Sequence, residues 1–314
     1  MNEYRQQGIS HTQPKWIIPL VCLLAGGVLI GVSTNLAKYA NVINLTPLAF
    51  LFWSITGAAI ILFIIAFIRN ELPPLNKHSF EYYLVAALVS VAGSNLIFFS
   101  AIPHVGASFV ALIIALPPLL TYLGALVLRI ERFNALRAIG VVAALLGVGV
   151  LAARKFSTPD ASVFWILLAL CGPVLLAIGN LYRTLRWPDN ASPSSLAPGM
   201  LIAAAIMLGI VSMLSNFSII VPLTESKSLW LIAIQALIFA GQFLLLFLLQ
   251  KTGGPVLLSL LGAVGAIVGV PVAILLQGEA PPEGLLLGAS LIALGVALVT
   301  WGGVTIAKTS TTDS

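Results

Sequence analysis

The chain has 314 residues, of which 60% are hydrophobic and only 8% are charged, and its formal net charge is +5. Soluble domains carry about 25% charged residues, so this composition excludes an ordinary soluble protein, which would need a polar surface. A charge this small gives no reason to expect nucleic acid as a partner, and the expected surroundings are the lipid bilayer. Cys22 and Cys171 both lie inside apolar runs and are predicted to be reduced packing residues.

Ten apolar runs follow one another along the chain, each close to the roughly 20 residues that cross the hydrocarbon core. They cover residues 16–39, 46–68, 81–102, 106–128, 134–153, 161–185, 196–215, 228–250, 255–277 and 283–306. The connections are short, so no loop could hold a separate soluble domain. We therefore predict an all-α integral membrane protein with ten transmembrane helices. The first run is too long for a signal-peptide core and should stay uncleaved.

Basic residues predict the orientation of these helices. With the N-terminus inside, eleven lysines and arginines fall in cytoplasmic segments and four outside, namely Lys38, Arg154, Lys155 and Lys227. Short cytoplasmic loops carry an excess of such residues. Both termini are therefore predicted to be cytoplasmic, and a bacterial inner (plasma) membrane is the expected location.

The second half of the chain repeats the first. A shift of 148 residues needs no gap and aligns Gly93 with Gly241, Gly106 with Gly254, Glu131 with Glu279, Gly140 with Gly288 and Gly147 with Gly295. The two halves, residues 1–155 and 156–314, each hold five predicted spans. An odd number of spans makes the second copy enter the membrane from the opposite face, so the prediction is a pair of inverted five-helix repeats.

Helix-breaking residues lie near the middle of several spans. Pro117 and Pro118 interrupt the fourth span and Pro173 the sixth, and each proline removes a backbone hydrogen bond. Gly265 lies at a similar depth in the ninth span. Because lipid cannot satisfy a freed backbone group, such breaks are tolerated against protein or water, which predicts a binding site at the membrane midplane. The alternative is that these residues only bend helices or let them pack closely.

Polar side chains inside the spans are a second sign of a site. Their cost in lipid directs them toward the protein interior. As a set they predict a polar-lined cavity that binds a small molecule, although each amide alone could simply bond one helix to another. The residues concerned are Asn35, Ser94, Asn95, Tyr122, Asn180, Gln235 and Gln242.

Two basic residues, Lys38 and Arg183, complete the predicted binding set. Each follows an asparagine by three residues, Asn35 or Asn180, so that the two polar groups share one helix face. The predicted repeat would place one cation near each mouth of the cavity. Our hypothesis is that these cations attract a carboxylate or another anionic group, and the alternative is that they extend to lipid headgroups.

Other chemistries are absent from the sequence. Glu131 and Glu279 lie just past the ends of spans, where helix capping or a loop salt bridge is a better interpretation than proton coupling. No phosphate-binding GxxxxGK[ST] run, no cluster of histidines and cysteines and no nucleophile-elbow serine occurs. We therefore expect no cofactor, no metal and no enzymatic activity.

The end of each half resembles the EamA-type members of the drug/metabolite transporter superfamily. Arg129-Ile130-Glu131, followed by Ala138-Ile139-Gly140 and Leu146-Gly147-Val148-Gly149-Val150, is similar to the family's acidic turn and glycine-bearing fifth helix. The second half repeats this with Gln277-Gly278-Glu279, Leu287-Gly288 and Leu294-Gly295-Val296. The resemblance implies ten helices in two halves and the export or exchange of small metabolites, such as amino acids, through a central cavity.

The resulting prediction is a secondary transporter that exports small polar or amphipathic metabolites by alternating access. The alternatives are a membrane-embedded enzyme, which should show a catalytic pair in the spans, and a channel-like facilitator, which should conduct without saturating. The expected partners are a small-molecule substrate and the bilayer. Since one chain holds both halves, a monomer could act alone, and a homodimer is equally compatible with the sequence.

Overall fold

The computed structural model describes residues 17–129, 133–156, 163–214, 218–221 and 226–312, and all regular secondary structure within these ranges is helical. Twelve α-helices and two short π-helical segments, Leu88–Ala92 and Val272–Leu276, follow in chain order. The α-helices are α1 (Ile17–Val42), α2 (Pro47–Ile68), α3 (Lys77–Ala87), α4 (Gly93–Val105), α5 (Ala107–Ile113), α6 (Pro117–Val127), α7 (Ala135–Phe156), α8 (Val163–Leu185), α9 (Pro193–Val211), α10 (Ser226–Ser259), α11 (Leu261–Pro271) and α12 (Leu285–Thr312).

Eight helical segments of the described chain are long and apolar enough to cross a membrane. They are Ile17–Val42, Pro47–Ile68, Lys77–Val105, Ala107–Val127, Ala135–Arg154, Val163–Leu185, Pro193–Val211 and Ser226–Thr252. Two shorter apolar helices, Leu261–Leu276 and Leu285–Val299, overlap the last two predicted runs. The predicted all-α membrane class is confirmed, whereas the count of ten transmembrane helices stays a prediction.

Polar caps fix where several helices begin. The Thr46 hydroxyl accepts a hydrogen bond from the Ala49 amide (3.2 Å) in front of α2, whose first residue is Pro47. Before α9, Ser192 and Ser195 form a reciprocal capping box. Such caps satisfy amides that have no partner inside their own helix, which is why short polar connections suffice between the apolar runs.

The principal helix contacts join the two halves of the chain. Helix α1 packs on α10 and α11, α8 packs on α4 and α6, α2 packs on α9, and α7 packs on α12. An aromatic chain in the core follows the same pattern, since Phe99 of the first half stacks on Phe239 of the second with ring centroids 6.2 Å apart. The core therefore lies between the halves rather than within each one.

Glycines bring α7 and α12 into backbone contact. A Cβ built on Gly140 would lie 2.7 Å from the Gly295 carbonyl oxygen, and one built on Gly147 would lie 2.6 Å from that of Gly288. Both distances are far below van der Waals contact. Only glycine therefore fits at these crossings, which is the close approach that small residues permit between membrane helices.

Two interruptions divide the helices at the centre of the fold. Helix α5 ends at Ile113 and α6 begins at Pro117, a position where proline is favoured because its missing N–H would have no helical partner. In the second half, α10 ends at Ser259 and α11 begins at Leu261. The second interruption falls at Leu260, which is not a helix-breaking residue.

Two of the predicted helix breaks are wrong. Pro173 lies inside a continuous α8, because one proline removes a single backbone bond and the bonds on either side persist. The adjacent Gly172 gives the Phe98 ring room to pack against this helix. Gly265 lies inside a continuous α11, where a Cβ would come within 2.8 Å of the Ile30 side chain. Its role there is close helix packing.

Candidate functional site

A cavity of about 90 Å³ lies between helices of both halves. Its walls combine apolar side chains with five polar ones. The lining residues are Ile30, Ser90, Asn95, Phe98, Ile114, Pro117, Leu176, Asn180, Arg183, Gln242, Phe243, Leu246, Leu258, Leu261 and Gly262.

The two helix interruptions meet at this cavity. Ile114 and Pro117 come from the interruption between α5 and α6, and Leu261 and Gly262 follow the one between α10 and α11. Gly262 touches the Ile114 carbonyl so closely that any Cβ would collide with it. The irregular backbone of each half is thus packed against protein at the edge of a cavity, as membrane helices require.

Arg183 is the one charged side chain in the cavity lining. It is 1% exposed, its Nη2 donates to Asn180 Oδ1 (2.7 Å), and its Nε donates to Gln250 Oε1 (3.2 Å). Both partners are neutral. Among the described residues, no carboxylate forms an ion pair with Arg183. The cavity therefore has a buried positive charge in its wall.

Other polar atoms at the cavity have unfilled hydrogen-bonding capacity. The Ser90 hydroxyl and Gln242 Oε1 are buried and have no hydrogen-bond partner in the described chain. Asn95 donates through Nδ2 to the Val91 carbonyl (2.9 Å). Buried polar groups normally have partners, so unfilled groups beside a cavity mark places where a ligand or water can bind.

A second polar group, the Lys38 cluster, joins the end of α1 to the start of α5. Lys38 Nζ lies 2.8 Å from Glu279 Oε2, and the Glu279 carboxylate also accepts from the amides of Ala107 and Ser108 at 3.0 Å each. Gly106 precedes them with φ +90°, and a Cβ there would lie 2.5 Å from Glu279 Oε1. The cluster fastens three segments of the chain to one another at this end of the bundle.

The structure brings five of the predicted residues together at the cavity: Asn95, Pro117, Asn180, Arg183 and Gln242. It leaves the others outside the lining: Asn35, Lys38, Ser94, Pro118, Tyr122, Pro173 and Gly265. Lys38 is held by Glu279, whose capping and salt bridge match the interpretation made from its position at a span end. The equivalent Glu131 lies outside the described residues.

The polar residues outside the cavity bond helices or loops to one another. Asn35 donates through Nδ2 to the carbonyls of Gly31 (2.8 Å) and Gly269 (3.0 Å), which joins α1 to α11. Gln235 donates to the Ser33 hydroxyl (2.6 Å), which joins α10 to α1. These amides make the helix-to-helix hydrogen bonds of the alternative interpretation, and their role in binding a substrate stays a prediction.

Tyr122 and Ser94 are buried away from the cavity. The Tyr122 hydroxyl accepts from the Asn134 amide (2.9 Å), and the Arg137 guanidinium lies 4.1 Å from its ring centre. These contacts join α6 to the start of α7. Ser94 is fully buried, and its hydroxyl has no hydrogen-bond partner in the described chain.

Sequence reasoning missed Ser90 and Gln250. Ser90 and Asn95 are five residues apart, a spacing that places two side chains on one face only if the helix is locally wider than an α-helix. The π-helical segment Leu88–Ala92 provides that geometry, and no residue type in the sequence predicts a π-helix at this place. Gln250 could have been found, because it is an amide at the end of an apolar span, where it bonds to Arg183.

Comparison with known proteins supports the family resemblance. A search of curated proteins found no significant match. A solved structure titled "Crystal structure of protein" superposes with a TM-score of 0.63 at 18% identity, covering 91% of this chain and 96% of that one, so this fold occurs among solved structures. Residues 17–153 match the model of the EamA-like transporter family. The resemblance predicted from the sequence is therefore confirmed for residues 17–153, the part of the chain that is similar to the EamA-like transporter family.

Proposed function

We propose that the protein is a secondary transporter that exports small metabolites, such as amino acids, by alternating access through the central cavity. The observation that carries the proposal is the cavity itself, where two helix interruptions and a set of polar side chains meet. Transporter sites of this kind form at the midplane between repeats, at discontinuous helices. Export is the direction that the family resemblance implies.

The proposed mechanism needs two inverted five-helix repeats, and the α7–α12 contact supports them. Under the 148-residue shift, Gly140 corresponds to Gly288 and Gly147 to Gly295. The contacts run crosswise, from Gly140 to Gly295 and from Gly147 to Gly288. Reciprocal pairing of this form is what a two-fold axis between equivalent surfaces produces. A similar shift aligns Lys38 with Arg183 in the second half.

The two ends of the bundle differ, which supports alternating access. The Lys38 cluster fastens α1, α5 and the chain after α11 at one end. Arg183, the proposed equivalent of Lys38, instead borders the cavity without an acidic partner among the described residues. In the proposed cycle this arrangement is one state, with the Lys38 end closed, and the opposite state exchanges the roles of the ends.

The test is transport by the purified protein in sealed vesicles. Uptake and efflux of a mixture of labelled amino acids and small organic acids are measured with and without a pH gradient. We expect saturable flux that an unlabelled substrate accelerates from the opposite side. Gln242→Leu removes a cavity amide and should lower the flux at least about tenfold, the effect of losing one good polar contact.

The matched control lies on the same helix. Thr252 is exposed, and within the described chain its hydroxyl bonds only to the Leu248 carbonyl of its own helix (2.7 Å), so Thr252→Val should leave transport unchanged. Flux that rises linearly with concentration would contradict the transporter proposal and favour the channel-like alternative. Absence of flux for every compound in the mixture would also count against it.

A further inference from the structure

We infer that Arg183 binds the carboxylate of the transported molecule, and that the substrates are small carboxylic acids, amino acids included, with an apolar body. This inference deepens the proposed function, on which it rests. Three features support this inference: the positive charge in the cavity wall, the unused donors of the guanidinium, and the apolar side chains in the rest of the lining.

The buried positive charge of Arg183 favours binding of an anion. The side chain is 1% exposed, and both of its hydrogen-bond partners, Asn180 and Gln250, are neutral. A buried charge is costly unless it is paired, and a membrane-embedded one more so. No aspartate or glutamate occurs among the cavity-lining residues. A substrate carboxylate would therefore supply the counter-charge when it binds.

The geometry of the guanidinium suits a carboxylate. An arginine has five N–H donors in a planar fork, and two of them are used by Asn180 and Gln250, so three donors have no partner among the described residues. Two parallel N–H groups can hold both oxygens of one carboxylate. The Asn180 and Gln250 bonds fix the guanidinium from two sides, so little rotational freedom is lost when the substrate binds.

The rest of the lining suits an apolar body and one polar donor. Ile30, Phe98, Phe243 and Leu246 supply an apolar wall. Gln242 Oε1 has no donor in the described chain and could accept a hydrogen bond from a substrate ammonium or hydroxyl. A substrate with cationic charge alone would find no acidic residue in this lining and would be repelled by Arg183.

Lys38 differs from Arg183 in this respect, although both were candidate anion sites. Its charge is already matched by Glu279 at 2.8 Å, and it lies outside the cavity lining. The Glu279 carboxylate is held in turn by the first amides of α5. In this state a substrate anion would have to displace a protein carboxylate from Lys38, whereas none has to be displaced from Arg183.

The test compares probes with and without a carboxylate, on apolar bodies of two sizes. Binding to the purified protein is measured by ligand-induced thermal stabilisation with leucine, 4-methylpentanoate, leucinamide and isopentylamine, and with the corresponding shorter set of alanine, propanoate, alaninamide and ethylamine. We expect the acids and amino acids to bind and the amides and amines to bind at least about tenfold more weakly, because charged hydrogen bonds are the strong ones.

Variants at Arg183 test whether this residue is the one that binds the carboxylate. Arg183→Gln should weaken binding of the acids at least about tenfold, and Arg183→Lys should lose part of the affinity because a point charge replaces the planar fork. Arg186→Gln is the matched control, since Arg186 lies three residues along the chain on the exposed surface, 3.5 Å from Glu81. It should bind the acids with unchanged affinity.

Equal binding of acids and amides, binding of no carboxylate probe, or unchanged acid binding by a folded Arg183→Gln protein would each overturn the inference. If Arg183→Gln does not fold, the comparison of acid with amide on the unaltered protein decides. The vesicle experiment separates the two proposals. Saturable transport that is unchanged in the Arg183→Gln protein would support the transporter function and contradict the carboxylate-binding role of Arg183. Acid binding that depends on Arg183 but is accompanied by no flux would support that binding role and contradict the transporter function.

Discussion

Two asparagines that the predicted repeat aligns with each other make different hydrogen bonds. Asn35 bonds to backbone carbonyls of α1 and α11, whereas Asn180 accepts from the guanidinium of Arg183 at the cavity. Their sequence neighbours are similar, with a cation three residues later in each case. The difference comes from what the opposing helices offer, so the chemistry of each residue depends on which end of the bundle it occupies.

At the Lys38 end, Glu279→Gln should loosen the cluster. The change removes the ion pair and both charge-assisted bonds to the α5 amides, and one neutral amide oxygen replaces two carboxylate oxygens. With about 2 kcal/mol lost, the start of α5 should open more often by well over tenfold. A reporter cysteine at the fully buried Ser108 should then react faster with a maleimide in permeabilised vesicles.

The background for this labelling replaces the free cysteines, Cys22 and Cys171, with alanine. Glu283→Gln is the control, because Glu283 and Arg154 are 3.9 Å apart and both mostly exposed, a pair that contributes little. Equal labelling rates in the Glu279→Gln and Glu283→Gln proteins would show that the cluster does not close this end.

The behaviour of Glu279 was only partly predictable from the sequence. Its place just past an apolar span indicated capping or a salt bridge, and it does both. Its cationic partner lies 241 residues away in the chain, and its amide partners more than 170. Such pairings depend on how one half packs on the other, which local spacing does not encode.

Among the elements, the two helix interruptions at the cavity differ in how well the sequence predicts them. Pro117 and Pro118 marked the first because proline cannot continue a helix without loss. The second falls at Leu260, a residue with a good helix propensity, beside Gly262, which packs on the Ile114 carbonyl. Tertiary contact, rather than local sequence, places that break. The same holds for Pro173, where a strong local signal left the helix continuous.

The contact between α7 and α12 permits a stability test at the level of elements. Gly147→Ala would place a methyl group 2.6 Å from the Gly288 carbonyl and 2.9 Å from the Leu291 side chain, so the helices must separate. We expect the free energy of unfolding to fall by about 1–3 kcal/mol, the usual cost of overpacking. Reversible unfolding in mixed micelles measures it.

Gly149 is the matched control on the same helix. A Cβ there meets nothing within 4 Å, so Gly149→Ala should leave stability unchanged or raise it by up to about 1 kcal/mol through better helix propensity. If both substitutions have the same effect, helix propensity rather than the interhelical crossing would be the cause.

For the whole molecule, a polar contact between the end of α2 and the start of α9 also links the halves. Glu71, which follows α2, accepts hydrogen bonds from the hydroxyls of Ser194 and Ser192 at the start of α9. The Ser194 hydrogen bond is the main cause that lowers the pKa of the Glu71 carboxyl below its ordinary value. Since the folded pKa is the lower one, protonation of Glu71 weakens this contact.

The stability that Glu71 contributes should therefore be present at neutral pH, decline as the pH falls below about 4.3, the ordinary glutamate pKa, and be lost through the lower folded pKa. Melting temperatures measured between neutral pH and pH 3 should converge for the unaltered protein and Glu71→Gln at the acidic end. Glu81→Gln serves as an exposed control. A constant difference between the Glu71→Gln and unaltered curves across this range would contradict the assignment.

At this scale, composition was enough to predict a membrane protein, because 60% hydrophobic and 8% charged residues leave lipid as the only suitable solvent. The lengths of the apolar runs then predicted the all-α class. The cavity was predictable as a kind of site but not in its membership. Asn95, Asn180, Arg183 and Gln242 reach it, whereas Asn35 and Tyr122 do not. Which polar residues face the same space depends on helix rotation, and the π-helical segment before Asn95 alters that rotation.

The glycine crossings of α7 and α12 also restrict how the molecule can move. At Gly140 and Gly147 the opposing backbone fills the space that a side chain would need, so no compressible layer separates the two helices. Because no side chain fits at either crossing, we do not expect these helices to slide past one another even by one residue, about 1.5 Å. We therefore expect any rearrangement of the bundle to leave this crossing in place, with the other helices moving around it.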